Sequence, residues 1–409
     1  MSGSLSGAVR REFAEGWLTV VAAGLAIGVG MMGIGFYALG LFVTPVQEEF
    51  GWSRAAASGA ATFEQLGIFL SAPIVGRLAD RYGVRMIAIA SYIAAPIGFV
   101  LLSRAGDSVA MWWGLWLLVS LAGCGTTPAI WARAVSARFD AGRGLALGLM
   151  LMGSGLAAFL APALLGPIFA SSGWRTAALA MGATILVVGL PVSLLMPREK
   201  KALAPAPAAS AEPRVRGRFE VNRQTLTIVG IAVLLGFFVA GLIVHLVPMV
   251  VDRGMPAAEA AQVAAKIGIA VIFARVIVGY LFDRFHAPFV AALFLLSPVV
   301  AALLLAFGGP VTAAALMLGL AAGAEVDMLA YFTGRYAHLR NYGATYGVVL
   351  GMFSFGAAFG PAAFGWSVDV TGSYHFALLA SAIALVVVVA LIATLGAYRD
   401  PVGAEVLEG

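Results

Sequence analysis

The sequence predicts an all-α polytopic membrane protein with twelve transmembrane helices in two pseudo-symmetric six-helix bundles. Three observations carry this expectation. Hydrophobic residues make up 61% of the 409-residue chain and charged residues 11%, too few charges to cover the surface of a water-soluble protein of this size. Apolar stretches of about 20 residues, each long enough to cross a hydrocarbon core as a helix, recur along the whole length. The third observation is a duplication. Gly144, Gly148, Pro162, Gly166 and Gly173 return 199 positions later as Gly343, Gly347, Pro361, Gly365 and Gly372. The run Gly76-Arg77-Leu78-Ala79-Asp80-Arg81 is echoed 203 positions on by Gly279-Tyr280-Leu281-Phe282-Asp283-Arg284. A membrane chain of two related halves is the usual ancestry of a secondary transporter, with its substrate site between the halves.

The spans are expected at 17–46, 54–78, 84–104, 109–135, 142–170, 175–197, 224–250, 257–281, 287–307, 311–337, 342–369 and 374–397. Span one follows Arg10 and Arg11, is too long for a signal-peptide core and is preceded by no small-residue cleavage site, so it reads as a retained span. Span two carries Glu64 eleven residues in, about 16 Å deep. Span four holds Cys124, the sole cysteine, which excludes a disulfide within one chain and a cysteine metal site. The four histidines are scattered without metal-ligand spacing, so no metal or cofactor is expected. Glycines cluster on spans five and eleven, where the runs Gly155–Gly166 and Gly351–Gly365 mark close helix contacts that slide as the halves rock. Residues 198–223, with their Ala-Pro repeats, cannot bury a core and read as a flexible linker. The chain thus divides into a six-helix bundle at 1–197, a cytoplasmic linker at 198–223 and a second six-helix bundle at 224–409.

Charge placement fixes orientation. Of the 25 Lys and Arg, 18 fall on the side that carries the termini and the linker, and five on the opposite side: Arg54, Arg104, Arg175, Arg253 and Lys266. The positive-inside rule makes both termini cytoplasmic, in a multi-pass protein of the inner (plasma) membrane. The net charge of +5 is explained by this topology and calls for no nucleic acid. A monomer in the lipid bilayer is expected.

The run GRLADRYGVR at 76–85 resembles the loop between helices two and three of the major facilitator superfamily, and GYLFDRF at 279–285 resembles its weaker copy between helices eight and nine. Helix count, central linker and both repeats extend the resemblance over essentially the whole chain. Within that superfamily the chain is most similar to the monocarboxylate-porter and oxalate/formate-antiporter group, through EEFGWSRA (48–55), ARFDAGRGLALGL (137–149) and an arginine on helix eight four residues before Gly279. The resemblance implies the major facilitator fold and alternating access; the sequence offers no His cluster, nucleophile with base or phosphate loop, so no enzymatic activity is expected. The resemblance also implies a gating role for Gly76, Asp80, Arg81, Gly83, Asp283 and Arg284, with Asp80 clasping the cytoplasmic side shut.

Ionisable groups inside spans are costly and are functional candidates by default. Arg275 lies about 12 Å inside the cytoplasmic end of span eight. In the resembled group the matching arginine binds the substrate carboxylate; a fixed ion pair with an acidic residue on span ten is the alternative. Span eleven has no Lys or Arg, so the second cation that oxalate exchange uses in that group is absent. The Asp that precedes the arginine by four residues in animal monocarboxylate porters is replaced here by Val271. A coupling proton must then use another acid. Span ten offers Glu325 and Asp327, with Asp327 as partner for an arginine and Glu325 as the titrating group. Glu64 is the further proton candidate, or bonds across to span eleven. Arg133 is a second anion-binding candidate or snorkels to headgroups. His245, alone in span seven beside Pro248, has the side chain that titrates near neutrality, but a lone helix histidine reads first as a packing residue. Tyr37, Trp131, Phe237 and Phe355 are expected to line an apolar, partly aromatic cavity. One strong cation in such a wall suits a small organic anion, a monocarboxylate with an apolar or aromatic body, moved with a proton by symport. Proton-driven export of hydrophobic compounds is the rival reading, and a non-transporting receptor a remoter one.

Overall fold

The computed structural model describes residues 2–136, 138–139, 142–196, 219–337 and 341–396, and among these every regular element is helical. Span one comprises Ser2–Val29, a π-turn Met31–Gly35 and Phe36–Phe50. A short helix, Arg54–Ser58, leads into span two, Ala60–Tyr82, and span three is Val84–Leu102. Span four is built from Val109–Ala122, a 3₁₀ turn Cys124–Thr126 and Pro128–Ser136. Spans five and six share one helical run, Arg143–Thr184, which turns back at Gly173, where φ is +79°. Span six continues through a π-turn, Ile185–Gly189, to Leu190–Leu195. Spans seven to twelve are Arg223–Val251, Ala257–Arg284, Ala287–Ala306, Val311–Tyr336, Tyr342–Thr371 and His375–Ala393.

All twelve expected spans are present. Nine stretches among the described residues meet the length and hydropathy of a membrane crossing. The difference has physical causes: spans five and six merge into one stretch, span four is broken near Gly123, and span two is diluted by Glu64, Gln65 and its charged end. Span one is longer than expected, because the turns carrying Arg10 and Arg11 are helical too. Most of the expected linker, 198–218, lies outside the described residues.

The duplication survives as packing. Span two packs on span four and eight on ten; one packs on five and seven on eleven; three packs on six and nine on twelve. The halves meet through five against eight, two against eleven and one against seven, so each contact is matched by another six spans on. The repeated glycines play matched parts. Gly173 and Gly372 both end their helices at positive φ, +79° and +69°. A Cβ on Gly166 would fall 2.4 Å from Ala261 Cβ, and one on Gly365 2.6 Å from Ser58 Oγ, both across the seam between the halves.

These cross-seam contacts run from the midplane to the face opposite the termini, here called the far face. At the midplane a Cβ on Gly155 would crowd Ile272 and Val271, and further out Gln262 donates to the carbonyl of Ala163. Thr62 Oγ1 donates to the carbonyl of Ala358 at 2.6 Å, and Ser58 Oγ to that of Pro361 at 3.1 Å. At the far end the backbone N–H groups of Arg54 and Ala55 donate to Asp369 at 2.7 and 2.8 Å, and the Arg54 guanidinium pairs with Asp252. Towards the termini the described glycines of the seam helices are loosely surrounded: a Cβ on Gly148, Gly279 or Gly347 would meet nothing within 4 Å. Among the described residues the conformer is closed at the far face.

Packing at the seam is therefore sensitive to a single methyl group. A Cβ on Gly268 would fall 2.0 Å from the backbone nitrogen of Phe159, an atom that cannot rotate away. Gly268→Ala is expected to destabilise this conformer by about 1–3 kcal/mol and lower the thermal midpoint of the purified protein, while Gly148→Ala leaves the midpoint unchanged.

Candidate functional site

Span eight, span ten and the middle of span one converge on a buried ionic cluster near the membrane midplane. Span eight carries Arg275, whose side chain is 11% exposed. Its Nη1 donates to both carboxylate oxygens of Asp327 on span ten, at 3.2 and 3.3 Å. The neighbours of that pair are small: Gly323 packs where its Cβ would meet Ala274 and the backbone of Val271, which lets spans eight and ten approach closely enough for the side chains to meet. Asp327 is less enclosed than its partner, with 33% of its side chain exposed. Arg275 Nε is buried and has no hydrogen-bond partner. The pair occupies one edge of the guanidinium and leaves another donor unanswered.

Two further groups lie within electrostatic range of that cation. Glu325, also on span ten, is 7% exposed, and its Oε2 has no partner. Tyr37, from the other half, sits within range of both Arg275 and Glu325, so it places an N-half hydroxyl beside a C-half ion cluster. Glu325 and Asp327 both lie within electrostatic range of Arg275, and Asp327 is the one that pairs with it directly.

Glu64 occupies the neighbouring depth in the N half. It is wholly buried, and neither carboxylate oxygen has a hydrogen-bond partner. Its Oε1 lies 2.8 Å from the point that a Cβ on Gly35 would take, against the π-turn of span one. A π-turn inserts one residue into a helix and recurs at functional sites. The bond from span two to span eleven that was open to Glu64 is made instead by Thr62, two residues earlier.

The aromatic expectations separate. Trp131 is fully buried and packs on Tyr92 at 6.2 Å in the core of the N half, which corrects its assignment to a cavity wall. Its position on span four faces span three, where a large flat side chain fills the interior rather than the path. Phe237 lines a lateral apolar groove with Phe63, Trp113, Phe359 and Trp366, between spans two and eleven. Phe355 is 53% exposed and packs on Phe359 with tilted rings 4.9 Å apart, so it continues the same face of span eleven. Among the described contacts neither Phe237 nor Phe355 joins the ion cluster.

At the face of the termini, Arg81 and Arg284 are exposed and lie over rings of their own helices, Tyr82 at 5.2 Å and Tyr280 at 4.5 Å. Gly83 adopts φ +86° between spans two and three, a backbone setting that a side chain would strain. Gly76 and the side chains of Asp80, Arg133 and Asp283 lie outside what the structure describes.

The sequence reasoning missed the far-face clasp of Arg54, Asp252, Asp369 and Tyr374. Arg54 Nη1 donates to the Tyr374 hydroxyl at 2.8 Å and its Nε to Gln47 at 2.9 Å. The available signal was weak: Arg54 is one of few cations on that face and falls within the run 48–55.

An all-helical chain with two sixfold packing units and an ionic cluster at the midplane of the seam is a membrane transporter by architecture. The chain belongs to the Major Facilitator Superfamily, which it matches over residues 25–361. It is 29% identical to monocarboxylate transporter 11 of Homo sapiens over 390 residues, covering 90% of this chain and 80% of that protein. It is 27% identical to monocarboxylate transporter 11 of Mus musculus over 391 residues, with 89% and 84% covered. Among solved structures it resembles the nucleoside transporter NupG (TM-score 0.73, 13% identity, 93% of this chain and 100% of that one). It also resembles a bacterial homologue of the human lysosomal transporter Spinster (TM-score 0.69, 18% identity, 93% and 95%). At these identities the two structures speak for the fold.

The Arg275–Asp327 pair should behave as a unit. In a double-mutant cycle, Asp327→Ala and Arg275→Ala are each expected to lower the thermal midpoint, and the double variant to lose less than the sum. The expected coupling is about 1–3 kcal/mol; strictly additive losses would show that the two charges do not interact.

Proposed function

We propose that this transporter carries a small organic monoanion, a monocarboxylate with an apolar or aromatic body, together with a proton. The observation that carries the reading is the state of Arg275: a nearly buried, permanently charged guanidinium held by one carboxylate, with its Nε unanswered. A substrate carboxylate offers that fork two oxygens and competes with Asp327 for it. An aspartate displaced from its cation in a poorly solvated site takes up a proton, so substrate and proton arrive together. Asp327 then does from span ten what the resembled porters do with an acid on span eight. The similarity to proteins named monocarboxylate transporter 11 supports the substrate class.

In this reading Tyr37 contributes a hydroxyl from the opposite half, so that bound substrate bridges the seam. Glu325 and Glu64 stand as reserve proton sites. The loop at 76–85 and its copy at 279–285 latch the face of the termini when that side closes, through Gly76, Asp80, Arg81, Gly83, Asp283 and Arg284. That face is the cytoplasmic one, on the balance of basic residues. Phe237 and Phe355 bound the crevice through which the apolar body of the solute would pass.

The test is ligand-induced thermal stabilisation of purified protein by a panel of monocarboxylates and their methyl esters. Free acids are expected to raise the midpoint and esters to leave it unchanged, with affinity falling about 10- to 100-fold in Arg275→Ala. Undiminished stabilisation in that variant moves the anion site elsewhere. In proteoliposomes, an inward proton gradient is expected to drive uptake by the parent protein and to lose its effect in Asp327→Asn; an intact response would pass the proton role to Glu325 or Glu64.

A further inference from the structure

The clasp at the far face has one consistent arrangement of hydrogens, and it restricts the ionisation of a histidine. His245, near the far end of span seven, is fully buried. Its Nε2 lies 2.8 Å from the carbonyl oxygen of Pro361 on span eleven, and its Nδ1 lies 2.8 Å from the hydroxyl of Tyr374. A carbonyl only accepts, so Nε2 carries the hydrogen. In the neutral ring Nδ1 is then bare and accepts from the Tyr374 O–H. The Tyr374 oxygen accepts in turn from Arg54, whose two terminal nitrogens also hold Asp252. The direction of this chain is fixed at both ends, by a guanidinium that only donates and a carbonyl that only accepts.

A second proton on the ring converts Nδ1 into a donor. The Tyr374 hydroxyl loses its acceptor, and its oxygen is left between two cationic donors. The charged groups around the ring act in opposite senses, the two carboxylates Asp252 and Asp369 favouring a cationic ring and Arg54 opposing it, and none of them supplies Nδ1 with a new acceptor. Arg54, from the segment before span two, adds a like charge. Asp252, at the end of span seven, is engaged by Arg54. Asp369, at the end of span eleven, is engaged by the backbone N–H groups of Arg54 and Ala55. Phe364 stacks on the ring at 5.9 Å and closes the remaining face without a polar atom.

We infer that His245 is the proton-binding group of the far gate: the gate closes over the neutral ring, and protonation favours the conformer open to the far side. The linkage is reciprocal. Opening gives the imidazole access to water and a proton, and closing expels that proton. The ligand is the proton itself, so the inference is independent of the organic-anion reading and of Asp327. For an imidazole of ordinary pKa, about 6.5, that binds no proton in the closed conformer, the open-to-closed ratio rises at most about 30-fold between pH 8 and pH 5.

The experiment reads the gate without substrate. Arg104→Cys and Ala257→Cys, in a Cys124→Ser background, place spin labels on exposed residues at the far end of each half. Pulsed electron paramagnetic resonance then measures the distance between them in nanodiscs. The longer-distance population is expected to grow several-fold from pH 8 to pH 5. His245→Gln, whose amide can donate to Pro361 and accept from Tyr374 without titrating, is expected to flatten that profile. Tyr374→Phe, which removes the hydroxyl that needs the bare nitrogen, is expected to weaken it and serves in place of His245→Gln if that variant does not fold. A distance distribution in the parent that ignores pH overturns the inference. So does a full pH response in His245→Gln, or in Tyr374→Phe where that variant replaces it.

Discussion

Water is missing from most of the surface that these helices bury against one another, and lipid tails are as apolar as the leucines they touch. Association must then come from backbone approach and from polar groups that find each other. The seam between the halves is built from both. Glycines at 155, 166, 268 and 365 bring helix backbones into contact, and Thr62, Ser58 and Arg54 add hydrogen bonds across it towards the far face. Among the described residues those contacts seal the far side of the molecule.

The two polar systems differ in what holds them. The far-face clasp is saturated: Arg54 engages Asp252, Tyr374 and Gln47, and Asp369 takes two backbone N–H groups. It is a set of matched donors and acceptors suited to holding one shape. The midplane cluster is unsaturated, with Arg275 Nε, one oxygen of Glu325 and both oxygens of Glu64 lacking partners. Buried polar groups without partners are costly and persist where a ligand or a proton answers them. The contrast separates a clasp whose donors and acceptors are matched in this conformer from a cluster whose groups are left unanswered in it.

The two halves use their shared ancestry unevenly. Packing contacts and helix-ending glycines obey the repeat, from Gly173 and Gly372 at the turns to Gly166 and Gly365 at the seam. The charged groups of the midplane cluster do not, although Asp80-Arg81 and Asp283-Arg284 at the loop ends do. Arg275 and its acids sit in one half only, and the other half answers with Tyr37 and Glu64. Packing can be duplicated because both halves face the same lipid and the same seam. A single solute path requires an asymmetric set of charges.

Hydropathy, the spacing of repeated glycines and the placement of basic residues determined the twelve spans, their grouping by six and the shared side of the termini. These are properties of stretches, and lipid imposes them locally through the length of apolar chain a helix needs. The same local reasoning singled out Arg275, Glu325, Asp327 and Glu64, since a charge in an apolar run stands out without a partner in view. It misplaced Trp131, because a tryptophan on a helix looks the same in sequence whether it faces a path or a core. Only the tertiary structure decided that Asp327 is the residue that pairs with Arg275, 52 positions away, and that Arg54 reaches Asp252 and Asp369, 198 and 315 positions away. Helix rotation and the close approach of spans set those encounters. Both depend on every packed neighbour at once, and no window of sequence contains them.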